Sequence, residues 1–405
     1  MLCAALVSGS GIKVTLFEKN EKLGKKLFIT GKGRCNLTNT ADLNGFQDNM
    51  VTNPKFLYSA LVSFGSAETI RYFEEELKLR TKTERGGRVF PESDHACDVT
   101  DALRRGMKRG GTEICFNSQV KSLLLEGDRV KGIKLSGGKK FFADAVVIST
   151  GGLSYPSTGS TGDGYRFARE AGLNVTECVP SLVPFLVSGE NPRRLQGLSL
   201  KNIGIKIYDG DKKLYEDFGE LLFTHFGVSG PVILSASAKI PQKAFEKPLS
   251  LYIDLKPALD RKTLEERLKR DFSESAGKHF RNALSGLLPR TFIPVMVDES
   301  AIDADKPCGN ITKQEREHLA SLFKRFPFTI TGKRGFDEAV ITKGGVDVRE
   351  LNPKTMEAKK VRGLYFIGEV IDVDALTGGF NLQIAWSSAH AAADAIIRTL
   401  KKTEE

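Results

Sequence analysis

Two glycine motifs near the carboxyl-terminal end carry the residue types that could bind a nucleotide. A short apolar run at 364–367 closes on Gly368 and Glu369, and the glycine pair 378–379 then opens an alanine-rich helical pattern. Glycine lets the backbone approach a ligand closely, and the free N–H groups of a first helical turn favour an anion. The pattern suits a pyrophosphate or a reduced flavin, and it is also that of an ordinary strand-to-helix crossover.

A matching carboxylate lies near the amino-terminal end. Residues 12–20 read as an apolar strand that ends at Glu18, with a polar, basic loop beginning at Lys19. In dinucleotide-binding folds an acidic residue at the end of the second strand binds the ribose hydroxyls, about 20 residues after a glycine-rich turn. That distance extends beyond Met1, so residues 1–8 are expected to be the body of the first crossover helix. We expect the first strand and its G-x-G-x-x-G to be missing.

The segment 24–39 is dense in glycine, lysine and amide side chains. Gly33, the planar guanidinium of Arg34 and the amide of Asn36 follow the nucleotide-binding strand closely. Such groups could hold a pyrophosphate or the polar edge of an isoalloxazine. A second glycine-rich loop, 159–164, is either a phosphate loop or a glycine-rich helix cap.

The elements that would position these groups follow an α/β pattern. A meander of three strands is predicted between 120 and 143, and an apolar strand at 145–149 ends at Thr150 and Gly151, as expected for a buried parallel sheet. After residue 184 short alternating strands predict a β-barrel or sandwich, and 259–322 turns helical. We therefore predict one discontinuous domain, 1–184 with 330–405, an inserted barrel domain, 185–258 with 310–330, and a small helical insert, 259–309.

Composition sets the class of protein. The 405 residues are 40% apolar and 27% charged, which is ordinary globular usage, and no apolar run approaches the length needed to span a bilayer. Six scattered cysteines without C-x-x-C or paired histidine spacing favour a reducing cytoplasm and argue against a structural metal. We expect no metal site and no membrane partner; oligomeric state is left open.

The net charge of +10 is concentrated at the amino-terminal end. Residues 1–40 hold seven basic and two acidic side chains, and this segment therefore carries half of the net positive charge. This cluster indicates a cofactor-phosphate site, nucleic acid or a solvated loop face. The aromatic interleaving of single-strand binders is absent there, so a small-molecule substrate is favoured over nucleic acid.

Six segments together resemble the BaiN-like (YhiN-like) flavoproteins, also called the aminoacetone oxidase family, over nearly the whole chain. They are EKNEKLGKKLFITGKGRCNLTN, GRVFPES, TGGLSYPSTGSTGDGY, LLFTHFGVSGPVIL, TKGGVDVRELNPKTME and GLYFIGEVIDVDALTGGFNLQIAWSS. The resemblance implies FAD bound by a doubly wound domain of the two-dinucleotide-binding type, interrupted by a β-barrel with a small helical insert. It implies an FAD-dependent oxidoreductase, with NAD(P)H or oxygen completing the flavin cycle. A flavoenzyme acting on RNA and a basic nucleic-acid-binding protein are the alternatives.

The resemblance also assigns site residues. Glu18 would bind the adenosine ribose, Val120 would meet the adenine through its backbone, and His225 is the best candidate for a catalytic acid or base. The remaining cofactor-binding residues that it implies are Lys19, Gly33, Arg34, Asn36, Thr150, Gly151, Gly368, Glu369, Gly379, Asn381 and Leu382. The absent glycine fingerprint is the one departure, and it bears on FAD affinity.

Overall fold

The computed structural model describes residues 1–404 and divides the chain into two compact units. Unit 1 comprises Met1–Ser181 and the chain from Phe336 onward, and unit 2 comprises Leu182–Gly335. Within residues 1–404 no helix is both long enough and apolar enough to cross a membrane.

Residues 1–404 form 14 α-helices and 20 strands. The helices are α1 Leu2–Gly9, α2 Lys25–Ile29, α3 Leu43–Asn49, α4 Tyr58–Ser63, α5 Ser66–Arg71, α6 Ala96–Arg109, α7 Asp163–Glu170, α8 Asn191–Arg194, α9 Pro231–Lys239, α10 Arg261–Glu274, α11 Phe280–Ala283, α12 Ile293–Ser300, α13 Lys313–Lys324 and α14 Phe380–Glu404. The strands are β1 Thr15–Phe17, β2 Thr38–Asn39, β3 Met50–Thr52, β4 Thr81–Glu84, β5 Arg88–Pro91, β6 Glu113–Cys115, β7 Val120–Glu126, β8 Arg129–Leu135, β9 Lys140–Phe142, β10 Val146–Ile148, β11 Val179–Ser181, β12 Phe185–Val187, β13 Ser199–Asp209, β14 Lys212–Thr224, β15 Gly227–Ser229, β16 Leu249–Asp254, β17 Phe326–Lys333, β18 Ile341–Lys343, β19 Leu364–Phe366 and β20 Asp374–Ala375.

Two parallel strand pairs form the centre of unit 1. Strand β1 pairs with β6, with Leu16 opposite Ile114, and β10 pairs with β19, with Val147 opposite Tyr365. The two pairs remain separate sheets in the described part of the chain. Every residue of β1 is only half-buried, whereas β19 is fully buried, as expected for a strand covered on both faces.

The apolar faces of α1, α6 and α14 pack in one core around these strands. This core includes Leu2 and Val7 of α1, Val99 and Leu103 of α6, and Ile384 of α14. The predicted meander follows as the antiparallel sheet β7–β8–β9. The loops after β1, β10 and β19 lie at the carboxyl ends of parallel strands, which is where open α/β sheets bind ligands.

Unit 2 is a closed six-stranded barrel with helices. The strand order around it is β12-β15-β14-β13-β16-β17. Strand β16 shows the required alternation, because Leu249, Leu251 and Ile253 are buried and the residues between them are half-exposed. Helices α10 to α13 lie between β16 and β17 in the chain and share the hydrophobic core of the barrel.

Helix α14 carries a half-buried histidine, His390, that has no ion-pair partner among the described residues. The ring of His390 stacks on Phe64 at 4.5 Å between centroids, and its buried Nδ1 has no hydrogen-bond partner. Burial lowers the pKa of His390, and the carboxylates of Asp394 and Glu68 only partly oppose this effect. The neutral ring is therefore the form that the folded state accommodates.

We predict that unit 1 loses stability as the pH falls below about 6.5, the ordinary histidine pKa. The unfolded chain then binds a proton that folded His390 accepts only at lower pH, so the free energy of unfolding decreases until the folded pKa is passed. Urea denaturation followed by the fluorescence of Trp386, which is buried one turn away, measures this loss. His390→Leu should reduce the pH dependence, whereas His318→Leu, at an exposed position of α13, should not. Identical pH profiles for wild type and His390→Leu would contradict the assignment.

Candidate functional site

The carboxylate of Glu369 is the centre of a hydrogen-bonded network at the end of β19. Its Oε2 contacts the ammonium of Lys26, and its Oε1 contacts the hydroxyl of Ser154 and accepts a 2.9 Å hydrogen bond from the backbone N–H of Thr342. Lys26 also contacts Ser154. The side chain of Glu369 is only 12% exposed, so this network holds a charge that would be costly to bury alone.

Glycines let the loop after β10 pass directly beside this carboxylate. A Cβ built on Gly152 would lie 2.4 Å from the hydroxyl of Thr342 and 3.0 Å from Oε1 of Glu369. A Cβ on Gly151, whose φ is +71°, would lie 2.9 Å from the hydroxyl of Ser160. Only glycine fits at either position, and the loop after β10 therefore passes very close to Glu369.

Glu18 lies at the carboxyl end of β1, as predicted. Its Oε1 accepts hydrogen bonds from the backbone N–H of Asn20 at 2.9 Å and from the Asn20 amide at 2.8 Å. That amide also donates to the carbonyl of Thr158, just before the second glycine-rich loop. The other oxygen of Glu18 accepts no hydrogen bond from the described residues, so it is the atom left for a ligand hydroxyl.

Lys19 and Val120 are connected through the first turn of α7. The ammonium of Lys19 is 2.8 Å from the carboxylate of Asp163 and donates to Thr161. Arg166, on the same turn as Asp163, donates to the backbone carbonyls of Val120 and its neighbour. The structure thus brings the ends of β1, β7 and α7 together.

The loop of residues 30–36 has an unusual backbone. Gly31, Lys32, Gly33 and Cys35 all have positive φ values, between +57° and +86°. Such a run costs conformational energy and persists only where the surroundings hold it. Cys35 is fully buried, and burial raises the pKa of its thiol to about 12, which makes it a packing residue rather than a nucleophile.

Arg34 points to neighbouring carboxylates in this structure. Its guanidinium makes two hydrogen bonds to Glu84, at 2.8 and 3.1 Å, and a third to Asp94 at 3.1 Å. Its Cζ also lies 4.1 Å from the centroid of the Phe90 ring. The bidentate pair fixes the left-handed loop in place, and the pKa of Glu84 is lowered mainly by this hydrogen bonding.

Asn36 lies against Gly379, in the glycine pair 378–379. A Cβ on Gly379, whose φ is +100°, would lie 2.3 Å from the backbone oxygen of Thr38 and 3.0 Å from Oδ1 of Asn36. That Oδ1 is buried without a hydrogen-bond partner. The hydroxyl of Thr150 is a second buried atom without a partner. Buried polar atoms are rarely left unpaired, and both of these lie in segments predicted to touch a cofactor.

The start of α14 is fixed by side-chain amides. Asn381 accepts from the N–H of Ala375 and donates to its carbonyl, at 2.9 and 2.7 Å, and Leu382 packs against the core of unit 1. Gln383, fully buried, bonds to the hydroxyl of Thr38 at 2.6 Å. The first turn of the helix is thereby held against residues 36–39. The positive end of the helix dipole faces these residues.

Two buried carboxylates in the loop before α14 were missed by the sequence analysis. Asp374 is fully buried and Asp372 is 9% exposed, and burial raises the pKa of each. Asp374 contacts the hydroxyl of Ser181, and Asp372 accepts from the amide of Asn53. Their acidic spacing, D-x-D before two glycines, was visible in the sequence, but their burial was not.

Lys26, Ser154 and Thr342 were also missed. Each lies within a segment that carries the family resemblance, yet their convergence on Glu369 needs contacts between chain regions up to 343 residues apart. His225 lies in unit 2, in the exposed turn between β14 and β15, with its ring 4.9 Å from that of Phe226. Its assignment as an acid or base stays a prediction.

A family model, described as the HI0933-like protein Rossmann domain, matches residues 1–395. The chain belongs to this family. Its relatives include the 3-dehydro-bile acid delta(4,6)-reductase of Clostridium scindens, 32% identical over 392 residues, which span 96% of this chain and 94% of that protein. The ribosomal RNA dihydrouridine synthase of Escherichia coli K12 is 33% identical over 399 residues, spanning 98% of this chain and 95% of that protein. A ribosomal RNA dihydrouridine synthase from Haemophilus influenzae is 31% identical, over 98% and 96% of the two chains.

Solved structures share the HI0933-like fold at low sequence identity. The 3-ketosteroid delta1-dehydrogenase of Sterolibacterium denitrificans superposes with a TM-score of 0.53 at 14% identity, over 98% of this chain and 97% of that one. A flavocytochrome c3 fumarate reductase gives 0.52 at 16% identity, over 98% and 76%. The family match confirms the predicted resemblance, the Rossmann-type FAD-binding fold and the class of FAD-dependent oxidoreductase.

We predict that Gly379→Ala disrupts the contact between residues 36–38 and α14. The new Cβ would overlap the carbonyl of Thr38 at a φ that L residues rarely adopt, so we expect a loss of about 1–3 kcal/mol in the free energy of unfolding. Trp386, whose indole N–H donates to the carbonyl of Leu37, reports the change by fluorescence during urea denaturation. Gly137→Ala is the matched control, because no atom lies near its Cβ position. Equal stability of the two variants would refute the close packing.

Proposed function

We propose that this protein uses FAD to reduce a carbon–carbon double bond conjugated to a carbonyl group in a small molecule. The observation that supports it most directly is a row of polar groups in unit 1, called the cofactor strip below, that runs from Glu18 through the Glu369 network to Asn36. The chain that carries it is about one-third identical to two kinds of reductive enzyme. The names of both relatives describe the same chemistry: a bile acid dienone and the uracil ring each gain hydrogen across a bond activated by a neighbouring carbonyl. NAD(P)H or oxygen as the second partner of the flavin, and the cytoplasmic location, stay predictions.

The residues of unit 1 fit FAD. Glu18 offers a free carboxylate oxygen for ribose hydroxyls, and Gly151 and Gly152 bring bare backbone close to Glu369, as a phosphate-bearing chain requires. At the other end Asn36 offers a buried oxygen without a partner. Bound FAD would supply hydride transfer at its N5 atom.

Two features of the chain itself would act on that chemistry, the start of α14 and a pair of buried acids. The free N–H groups at the start of α14, which follow Gly379, would stabilise negative charge on the isoalloxazine. The carboxyl groups of Asp372 and Asp374, with pKa values raised by burial, hold protons to higher pH than exposed carboxyls do. They are the described acids nearest in sequence to the glycine pair.

A second candidate is reduction of uridine in RNA. Two relatives at 31% and 33% identity are named ribosomal RNA dihydrouridine synthases, and the net charge of +10 suits a polyanion. Because the chemical step is shared, the two candidates differ in substrate alone.

The proposed reaction is tested with the dithionite-reduced, FAD-loaded protein under anaerobic conditions. A 3-oxo-4,6-diene bile acid should restore the visible flavin absorbance and gain two hydrogens by mass spectrometry, whereas the saturated 3-oxo bile acid should do neither. Unmodified ribosomal RNA transcribed in vitro is the parallel substrate, assayed for dihydrouridine. Reoxidation by RNA alone would favour the second candidate, and reoxidation by neither would contradict the reaction class.

We predict that Glu18→Ala weakens FAD binding by about 1.5–3 kcal/mol, roughly a ten- to hundredfold rise in Kd, because a charged hydrogen bond to ribose is lost. The fold should survive, since the Glu18 side chain bonds to Asn20 in its own loop and the backbone bonds of residue 18 are kept in the variant. Fluorescence titration of the apoprotein with FAD gives the affinities. Glu21→Ala is the control, because Glu21 is 64% exposed and pairs with Lys25 alone. A wild-type affinity in Glu18→Ala would remove Glu18 from the site.

A further inference from the structure

Lys26 is a cation in the hydrogen-bonded network around Glu369, at the centre of the candidate site. It lies in the short helix α2, is 24% exposed, and contacts both Glu369 and Ser154. Sequence reasoning did not single it out, and the resemblance assigned it no role. In this structure it neutralises a carboxylate that has little contact with water.

The network containing Lys26 lies between the two ends of the cofactor strip. On one side the contacts run from Glu18 through Asn20 to the 158–160 loop, where Ser160 adjoins Gly151. On the other side, α2 leads directly into the left-handed loop of residues 30–36. This loop places Asn36 against Gly379. A dinucleotide that joins a ribose site at one end to a ring site at the other must place its pyrophosphate in the middle.

The two other cations among the predicted cofactor-binding residues already have carboxylate partners outside the network. Lys19 pairs with Asp163 and Arg34 pairs with Glu84. A pyrophosphate beside Glu369 would place like charges close together at low exposure, which is unfavourable unless a cation stands between them. Lys26 is the cation in contact with Glu369.

We propose that Lys26 exchanges partners when FAD binds. Its ammonium moves from Glu369 to the pyrophosphate, and the freed Glu369 oxygen accepts hydrogen bonds from hydroxyls of the ribityl chain. The Lys26–Glu369 pair is then the resting form of a binding residue rather than a permanent structural ion pair. This inference rests on the proposed use of FAD.

The test compares FAD with riboflavin, which has the ring and ribityl chain but no phosphate. Lys26→Gln keeps a hydrogen-bond donor for Glu369 and Ser154 but removes the charge. We expect its FAD affinity to fall roughly ten- to hundredfold, with riboflavin affinity unchanged. Lys26→Arg should restore most of the FAD affinity. Lys22→Gln is the matched control, because it removes one charge from the same region at an exposed position.

Each outcome decides between the two roles. Equal losses of FAD and riboflavin affinity, or unchanged or tighter FAD binding by Lys26→Gln, would overturn the exchange and leave the ion pair as structural support. Wild-type protein that binds neither ligand would overturn the proposed cofactor as well. If Lys26→Gln does not fold, the salt dependence of the wild type decides: FAD affinity should fall more steeply with KCl than riboflavin affinity, and parallel slopes would refute the exchange.

Discussion

The close contact between residues 36–39 and the start of α14 is the constraint on which the candidate site depends. Gly379 lies against the backbone of Thr38, Asn39 donates to the carbonyl of Gly378, and the indole of Trp386 donates to the carbonyl of Leu37. These bonds join segments more than 300 residues apart in the chain. They aim the first turn of α14 at the left-handed loop, and any side chain at Gly379 would separate the two.

Local elements of unit 1 were predicted well from the sequence, because each has its own apolar periodicity or is bounded by turn residues. The meander at 120–143 corresponds to β7, β8 and β9, and the apolar runs that end at Thr150 and at Gly368 correspond to β10 and β19. Glu18 was placed at a strand end from the pattern of apolar residues alone. Glycine positions were likewise informative, since positive φ and close approach restrict them to that residue.

The partners of these residues could not be predicted, because they depend on tertiary contacts. Arg34 was expected to lie along the cofactor. In this structure its guanidinium donates hydrogen bonds to Glu84 and Asp94. Those carboxylates lie outside the segments to which the sequence analysis assigned a role. Lys26 was counted only as one of seven basic residues in 1–40, since nothing local distinguishes it from Lys25. Burial of Asp372 and Asp374 also follows from packing around β20 and not from their acidic spacing.

The electrostatics of unit 1 suggest why one cofactor site can serve relatives with different substrates. Its fixed charges are paired along the strip: Lys19 with Asp163, Lys26 with Glu369, and Arg34 with Glu84. In the function proposed above, the residues of these pairs lie along the bound dinucleotide, whose chemistry is the same whether the double bond belongs to a bile acid or to uridine. Selection between such substrates must then depend on residues outside the strip. Changes at Glu18 or Lys26 should therefore affect cofactor affinity for every substrate alike, and a substitution that alters the preference between steroid and RNA should leave FAD affinity unchanged.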